Sequence, residues 1–325
     1  MAETNSAPQP LRAGGAGNDL GSAAPLAPRR GHASGLLRLE QRDGWLFVTP
    51  FLIGVLAFWA GPMLYSLYLV TQDWNMLAPP HWAGLANFAR LFSDELVGVS
   101  LWNTAYFTFL SVPLQLVVAF GLAIALNQRI RGQPVFRTIF YLPSITPAVA
   151  NAVIWVQMLN PDYGPVNSVL GLFGIKPIAW LVDPLYAKPA FILMSLWAVG
   201  PAMVIFLAAL QDRPAALLEA AEIDGADAWQ RFMSITVPMI SPVILFNLTM
   251  GIIASFQVFA SSFVMTNGGP QNATLFMVLY IYTSAFRLYR MGYAAVLAWL
   301  LFFIIVIVTA IQLRITDRWV YYEVG

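Results

Sequence analysis

Glu219 and Glu222 stand three residues apart between two strongly apolar runs, a spacing that puts both carboxylates on one face of a helix. Such a pair can receive the basic groups of a partner, or it can be ordinary solvated charge on an amphipathic loop helix. Little else in the chain offers covalent or metal chemistry. There is no cysteine, and the two histidines, His32 and His81, lie outside the apolar runs without a matching cluster of acids. Disulfides, thiolate chemistry and a metal site are therefore not expected. No G-x-x-x-x-G-K-[ST] loop is present, the only lysines being Lys176 and Lys188, so any ATP-driven step needs another polypeptide.

The remaining chemistry is that of uncharged polarity set among aromatics. Asn151 and Trp155 fall in one apolar run, with Asn247, Ser255, Phe256, Gln257 and Phe259 in another. Amides and hydroxyls match sugar hydroxyls, and rings suit the apolar faces of sugars. This inventory fits a neutral polyhydroxylated solute better than an ion. The same residues also serve to pack one membrane helix on another.

These residues must be positioned by a membrane protein. The 325 residues are 59% hydrophobic, 14% aromatic and only 10% charged, where soluble domains carry about a quarter charged residues. A net charge of +1 without a basic aromatic array gives no reason to expect nucleic acid. Six runs, near 45–70, 101–126, 137–159, 189–211, 237–262 and 291–313, can each cross a hydrocarbon layer that needs about 20 helical residues. Pro143 and Pro147 should kink or break the third. Of seventeen Lys and Arg residues, twelve fall on the side that holds both termini and residues 213–242, which predicts that side to be cytoplasmic. A seventh span would carry Arg314 and Arg318 to the other side, against this bias. No Asp, Glu, Lys, Arg or His lies well inside any of the six runs, so a titrating carboxylate for proton coupling is not expected.

The segment from Arg213 to Pro242 reads as helix, sharp turn, helix. Pro214 suits a first helical turn. Ala216, Leu217, Ala220 and Ala221 form a small apolar face opposite Glu219 and Glu222. Gly225 supplies a left-handed helix end, and Asp224 with Asp227 resembles a capping pair for the second helix. Trp229, Phe232 and Met233 give that helix an apolar side ahead of Pro238 and Pro242.

Glu219-Ala220-Ala221, Asp224-Gly225-Ala226, Ile235 and Val237-Pro238 resemble the EAA signature of the membrane subunits of binding-protein-dependent ABC importers, in the sugar branch typified by maltose-transporter permeases. Thr266, Gly268, Gly269, Pro270 and Thr274 are similar to that family's glycine-glycine-proline loop, although the local chemistry alone indicates a tight turn. The resemblance implies an all-α integral membrane fold with six transmembrane helices, the type I importer permease fold, in a bacterial inner membrane. It implies a coupling helix at 213–225 that docks on an ATPase dimer, which binds the ATP and magnesium, none being held by this chain. It further implies a second homologous permease and an extracytoplasmic solute-binding protein that delivers sugar. The expected organisation is a disordered cytoplasmic tail at 1–40, an accessory first helix and outer loop at 41–99, the core at 100–313 and a cytoplasmic tail at 314–325, whose aromatic stretch 318–324 suits the membrane interface. The apolar stretch 274–286 reads as a short surface or re-entrant helix. The alternative function from another class is an ATP-independent carrier or facilitator; a membrane-embedded enzyme has no acid, base or thiol cluster to act with.

Overall fold

The computed structural model describes residues 30–128, 131–316 and 320. The stretches 1–29 and 318–324, Val320 excepted, and the charges Arg12, Arg29, Arg129 and Arg318 lie outside the described residues. The chain divides into two compact units, Met1–Pro62 and Met63–Gly325.

In the first unit, α1 spans Arg30–Val55 and continues through one π-turn at Leu56–Ala60. Its start at Arg30 makes residues 30–40 helical where a disordered tail is expected. Trp45, Phe47, Phe51, Phe58 and Trp59 are all exposed. A helix that presents large rings around its surface has lipid as its solvent.

Helix α2, Gly61–Val70, leads into a small antiparallel hairpin in which Gln72 of β1 (Gln72–Asp73) pairs with Trp82 of β2 (His81–Trp82). Next come α3 (Ala86–Ser93), α4 (Glu95–Leu126), α5 (Gln133–Ile145), α6 (Ala148–Met158), α7 (Pro165–Leu172), α8 (Pro184–Ser195) and α9 (Gly200–Gln211). The chain then makes α10 (Ala215–Ile223), α11 (Ala228–Arg231), α12 (Val237–Met239), α13 (Ser241–Phe256), α14 (Ala260–Met265), α15 (Met277–Tyr282) and α16 (Met291–Thr316).

Glu40–Val70, α4, Ser241–Met265 and α16 are long and apolar enough to cross a membrane, and two bent pairs, α5 with α6 and α8 with α9, bring the number to six if each is one span. The two bends differ greatly, 102° and 47°. The sharper one follows from Pro147, whose ring disfavours helical geometry in the residue before it; Thr146 is extended at φ −66°, ψ 128°. Pro143 stays inside α5, so of the two prolines it is Pro147 that breaks the run.

Helix α4 organises the second unit. It lends Val97 and Val112 to a core with α13, α15 and α16, Phe107 to one with α6 and α8, and Ala119, Ala123 and Leu126 to one with α9. Its buried face is mostly small or polar, Ser100, Asn103, Thr104, Thr108 and Ser111 included. Without water to expel, membrane helices associate through close approach and interhelical hydrogen bonds, and this face supplies both. Close approach is most acute where α5 meets the start of α9: a Cβ on Gly200 would stand 2.7 Å from both the Phe140 carbonyl oxygen and the Tyr141 Cα.

Leu275, Phe276, Met277, Leu279 and Tyr280 are buried, the last three in the core with α4, α13 and α16. The stretch 274–286 is therefore an interior element, which excludes the surface half of the expectation.

Candidate functional site

The segment after α9 is built by local hydrogen bonds. Pro214 occupies the N-cap of α10 with extended geometry, one place before the first turn. At the other end Gly225 lies at φ +83°. The Gly225 N–H donates to the Glu222 carbonyl at 3.1 Å and the Ala226 N–H to the Ala221 carbonyl at 2.9 Å, the two bonds of a Schellman turn. Asp227 then caps α11. Its Oδ1 accepts from the Gln230 N–H at 2.8 Å, while Gln230 Oε1 accepts from the Asp227 N–H at 2.9 Å. The reciprocal partner in the cap is thus Gln230, where the sequence pointed to Asp224; Asp224 is instead the C-cap of α10. The Arg231 guanidinium donates to Glu222 and ties α11 back to α10.

This turn presents Ala216, Leu217, Glu219, Ala220 and Glu222 to the outside, and Ile223 is 87% exposed. Leu218, Ala221 and Ala226 are half-buried. The small apolar face expected to permit close docking is therefore free, except for Ala221, and Glu219 and Glu222 are exposed as well.

Two connections join the turn to the helices that lead into and out of it. Arg213 Nε donates to the Leu210 carbonyl at 2.9 Å, and its guanidinium also reaches the Thr236 hydroxyl, which clamps the end of α9 to the turn before Pro238 in α12. A series of rings runs inward: Trp229 to Phe232 at 5.8 Å, Phe232 stacked on Phe120 at 5.9 Å, Phe120 to Phe206 at 5.3 Å. The last two belong to α4 and α9.

The seven polar and aromatic residues singled out in the spans do not meet in one place. On α6, Trp155 is buried edge-on to Trp197 at 6.0 Å. Trp155 Nε1 and Asn151 Oδ1 are both buried without a hydrogen-bond partner among the described residues. They lie four residues apart, so one donor and one acceptor stand on the same face of α6. Buried polar groups are nearly always satisfied, and a water or a solute hydroxyl would meet both needs. On α13, Asn247 donates to its own Val243 carbonyl at 2.9 Å, Ser255 donates to Thr108 at 3.0 Å, and Phe256 belongs to the core with α4. At the break between α13 and α14, Gln257 is exposed, and Phe259 stacks on Phe263 at 5.4 Å. Helix α14 packs against α6.

The glycine-glycine-proline loop is laced internally. Thr274 donates to the Gly269 carbonyl at 2.6 Å and contacts Thr266 Oγ1 at 2.6 Å, while Ser262 donates to the Thr274 carbonyl at 2.5 Å. Two polar groups near the same end of the molecule escaped sequence reasoning. Asp94, the N-cap of α4, accepts from Tyr293 at 2.6 Å and from Tyr280. Lys188 lies inside α8, because that helix begins five residues before the expected span. The proline and aspartate that open α8 are helix-start signals that could have revealed this.

A family model described as the binding-protein-dependent transport system inner membrane component matches residues 117–321. The chain is 36% identical over 288 residues to the lactose transport system permease protein LacF of Rhizobium radiobacter, covering 86% of this chain and 95% of the relative. It is 39% identical over 292 residues, 88% of this chain and 94% of the relative, to a Bacillus subtilis protein named "Probable ABC transporter permease protein YesP". Among solved structures it is similar, with a TM-score of 0.75 and 25% identity over 87% of this chain and 99% of the other, to a bacterial ABC transporter involved in the import of the acidic polysaccharide alginate.

Proposed function

The chain belongs to the binding-protein-dependent transport system inner membrane components, and from that premise we propose how its parts work in a complete importer. It is a multi-pass permease subunit in carbohydrate import. The chain pairs with a second, homologous permease, and an ATPase dimer that binds ATP and magnesium drives both. An extracytoplasmic protein delivers the sugar. The termini and α10 face the cytoplasm, where most of the Lys and Arg residues fall.

The observation that carries this reading is the exposed turn at α10. Its backbone is fixed by a Schellman turn and a capping box, yet Glu219, Ala220 and Ile223 remain uncovered. A rigid projection with an apolar face and a carboxylate suits insertion into a cleft on a partner. Glu219 pairs there with a cation of the ATPase, and Ala220, with half-buried Ala221 behind it, allows close approach. Asp224, Gly225 and Ala226 hold the turn, and Pro238 starts the return into the membrane. Closure of the ATPase pair pushes α10. Arg213 and the rings from Trp229 to Phe206 pass that displacement to α9, α12 and α4, which rocks the spans. Along the path, the unpartnered atoms of Asn151 and Trp155 bond to passing sugar hydroxyls, with Gln257 and Phe259 at the break in the fifth span. Asn247, Ser255 and Phe256 set the packing of α13 behind them.

Gentle purification of the tagged chain from its native membrane, with mass spectrometry of its companions, tests the assembly. Recovery of an ATPase and a second permease is the expected result. A chain that purifies alone and moves solute without ATP would replace the driven importer with a carrier.

A further inference from the structure

Lys188 is half-buried in the second turn of α8. Its Nζ donates to Asn103 Oδ1 at 3.0 Å and stands 5.3 Å from the centre of the Tyr106 ring. Both neighbours are neutral. Among the described residues the ion pairs are Arg42–Asp43 and Arg231–Glu222, so Lys188 has no carboxylate partner there. Asp183, at the same end of α8, uses one carboxylate oxygen to cap the helix, accepting from the Leu185 N–H at 2.9 Å. The ammonium has three donors and Asn103 takes one, which leaves the others free for an anion that enters from the open side.

The surroundings are fixed. Asn103 Nδ2 donates to the carbonyls of Asn272 at 2.7 Å and Leu275 at 3.2 Å, which leaves Oδ1 aimed at Lys188. Gln271 and Asn272 hold left-handed backbone geometry, φ 48° and 61°, of the kind that tends to persist where a site requires it. Between these residues lies a recess of about 450 Å³, lined by Trp102, Asn103, Lys188, Gln271 and Asn272. Trp102 is 66% exposed. The recess is at the end of α4 remote from Leu126 and hence from α10.

We propose that this recess is a subsite for a carboxylated sugar unit: Lys188 takes the carboxylate of a uronic acid, the amides of Gln271 and Asn272 take its hydroxyls, and the sugar ring lies on Trp102. A single lysine suits a monoanion; a phosphate dianion calls for several charge-assisted donors. A protein carboxylate could reach Lys188 on one side chain, but it would leave the ring and the amides unused. The inference rests on the carbohydrate-import reading and makes the carried sugar acidic, where the inventory of the span interiors, which left Lys188 outside, favours a neutral one.

The complete complex with its binding protein, reconstituted in liposomes, is offered polyuronate digests and neutral digests of starch and galactan. The wild type should take up acidic oligosaccharides. Lys188→Met should weaken their apparent affinity roughly tenfold or more, Lys188→Arg should retain it within about threefold, and any neutral uptake should be unchanged. Preference of the wild type for neutral sugars, or an equal loss of both classes in Lys188→Met, would overturn the subsite while leaving carbohydrate import intact. If no sugar of either class stimulates ATP hydrolysis, the import reading and the subsite fail together. Should Lys188→Met not assemble, Trp102→Ala on the exposed rim must still weaken acidic uptake; an unchanged affinity there would sink the idea.

Discussion

Gly225 holds φ +83° where a side chain would be strained by about 1–2 kcal/mol. We predict that Gly225→Val reaches the membrane in normal amount but loses transport, because the strain displaces the Glu219 turn and not the spans; immunoblotting of membranes beside an uptake assay checks this. Glu219→Lys reverses the charge that the proposed docking requires and should lower uptake roughly tenfold or more. Normal sugar-stimulated ATP hydrolysis in that variant would count against the docking role. Asp94 makes a different kind of prediction. Partial burial disfavours its charged form, but hydrogen bonds from Tyr280, Tyr293 and the Leu96 N–H, together with Arg90, outweigh this and hold the carboxyl below its usual range. Burial and the same carboxylate push Tyr280 up to about 12, so it remains a donor at neutral pH. A depressed carboxyl stabilises the fold above its unfolded value, about 3.9, and the contribution fades as pH falls through the folded one. The stability difference between wild type and Asp94→Asn should accordingly be flat from pH 8 to 5 and shrink below about pH 4, as thermal melts in detergent would record.

At the level of elements, the position of each span was legible because a run of apolar residues about 20 long has few other uses. Local punctuation was legible too: Gly225 ends a helix and Asp227 starts one, each by bonds to near neighbours. What was hidden depends on pairs distant in sequence. Asp94 meets Tyr280 and Tyr293 across 186 and 199 residues, and no local pattern announces that. Lys188 was missed because a hydropathy reading begins a span after the last charge, whereas the helix begins at its cap. Gly200 looks like any flexible glycine until the Phe140 carbonyl is found where its Cβ would go. Gly200→Ala should therefore cost about 1–3 kcal/mol by overpacking, whereas Gly171→Ala, where nothing stands within 4 Å, should cost nothing; denaturation of the two variants side by side provides the comparison. The seven span residues were legible as polar or aromatic, but whether each binds or packs was not, since Ser255 finds Thr108 only in three dimensions.

For the whole molecule, orientation is open to a direct test that the composition makes clean. Because the chain has no cysteine, single cysteines report without background. Cysteine at Glu219 should react with a membrane-impermeant maleimide only in inside-out vesicles, and cysteine at Gln271 only in right-side-out ones; the reverse pattern would invert the topology. The place of α4 has a further consequence, for biogenesis. It is made before α6, α8, α9, α13, α15 and α16, its partners in the three cores that it joins, and Asn103 waits 169 residues for the Asn272 carbonyl. At about 5–20 residues per second that is roughly 10 to 30 s. During that interval the polar face of α4 stands at the bilayer without its final partners, so the nascent permease is most in need of shelter from an insertion chaperone while its central helix is already in place.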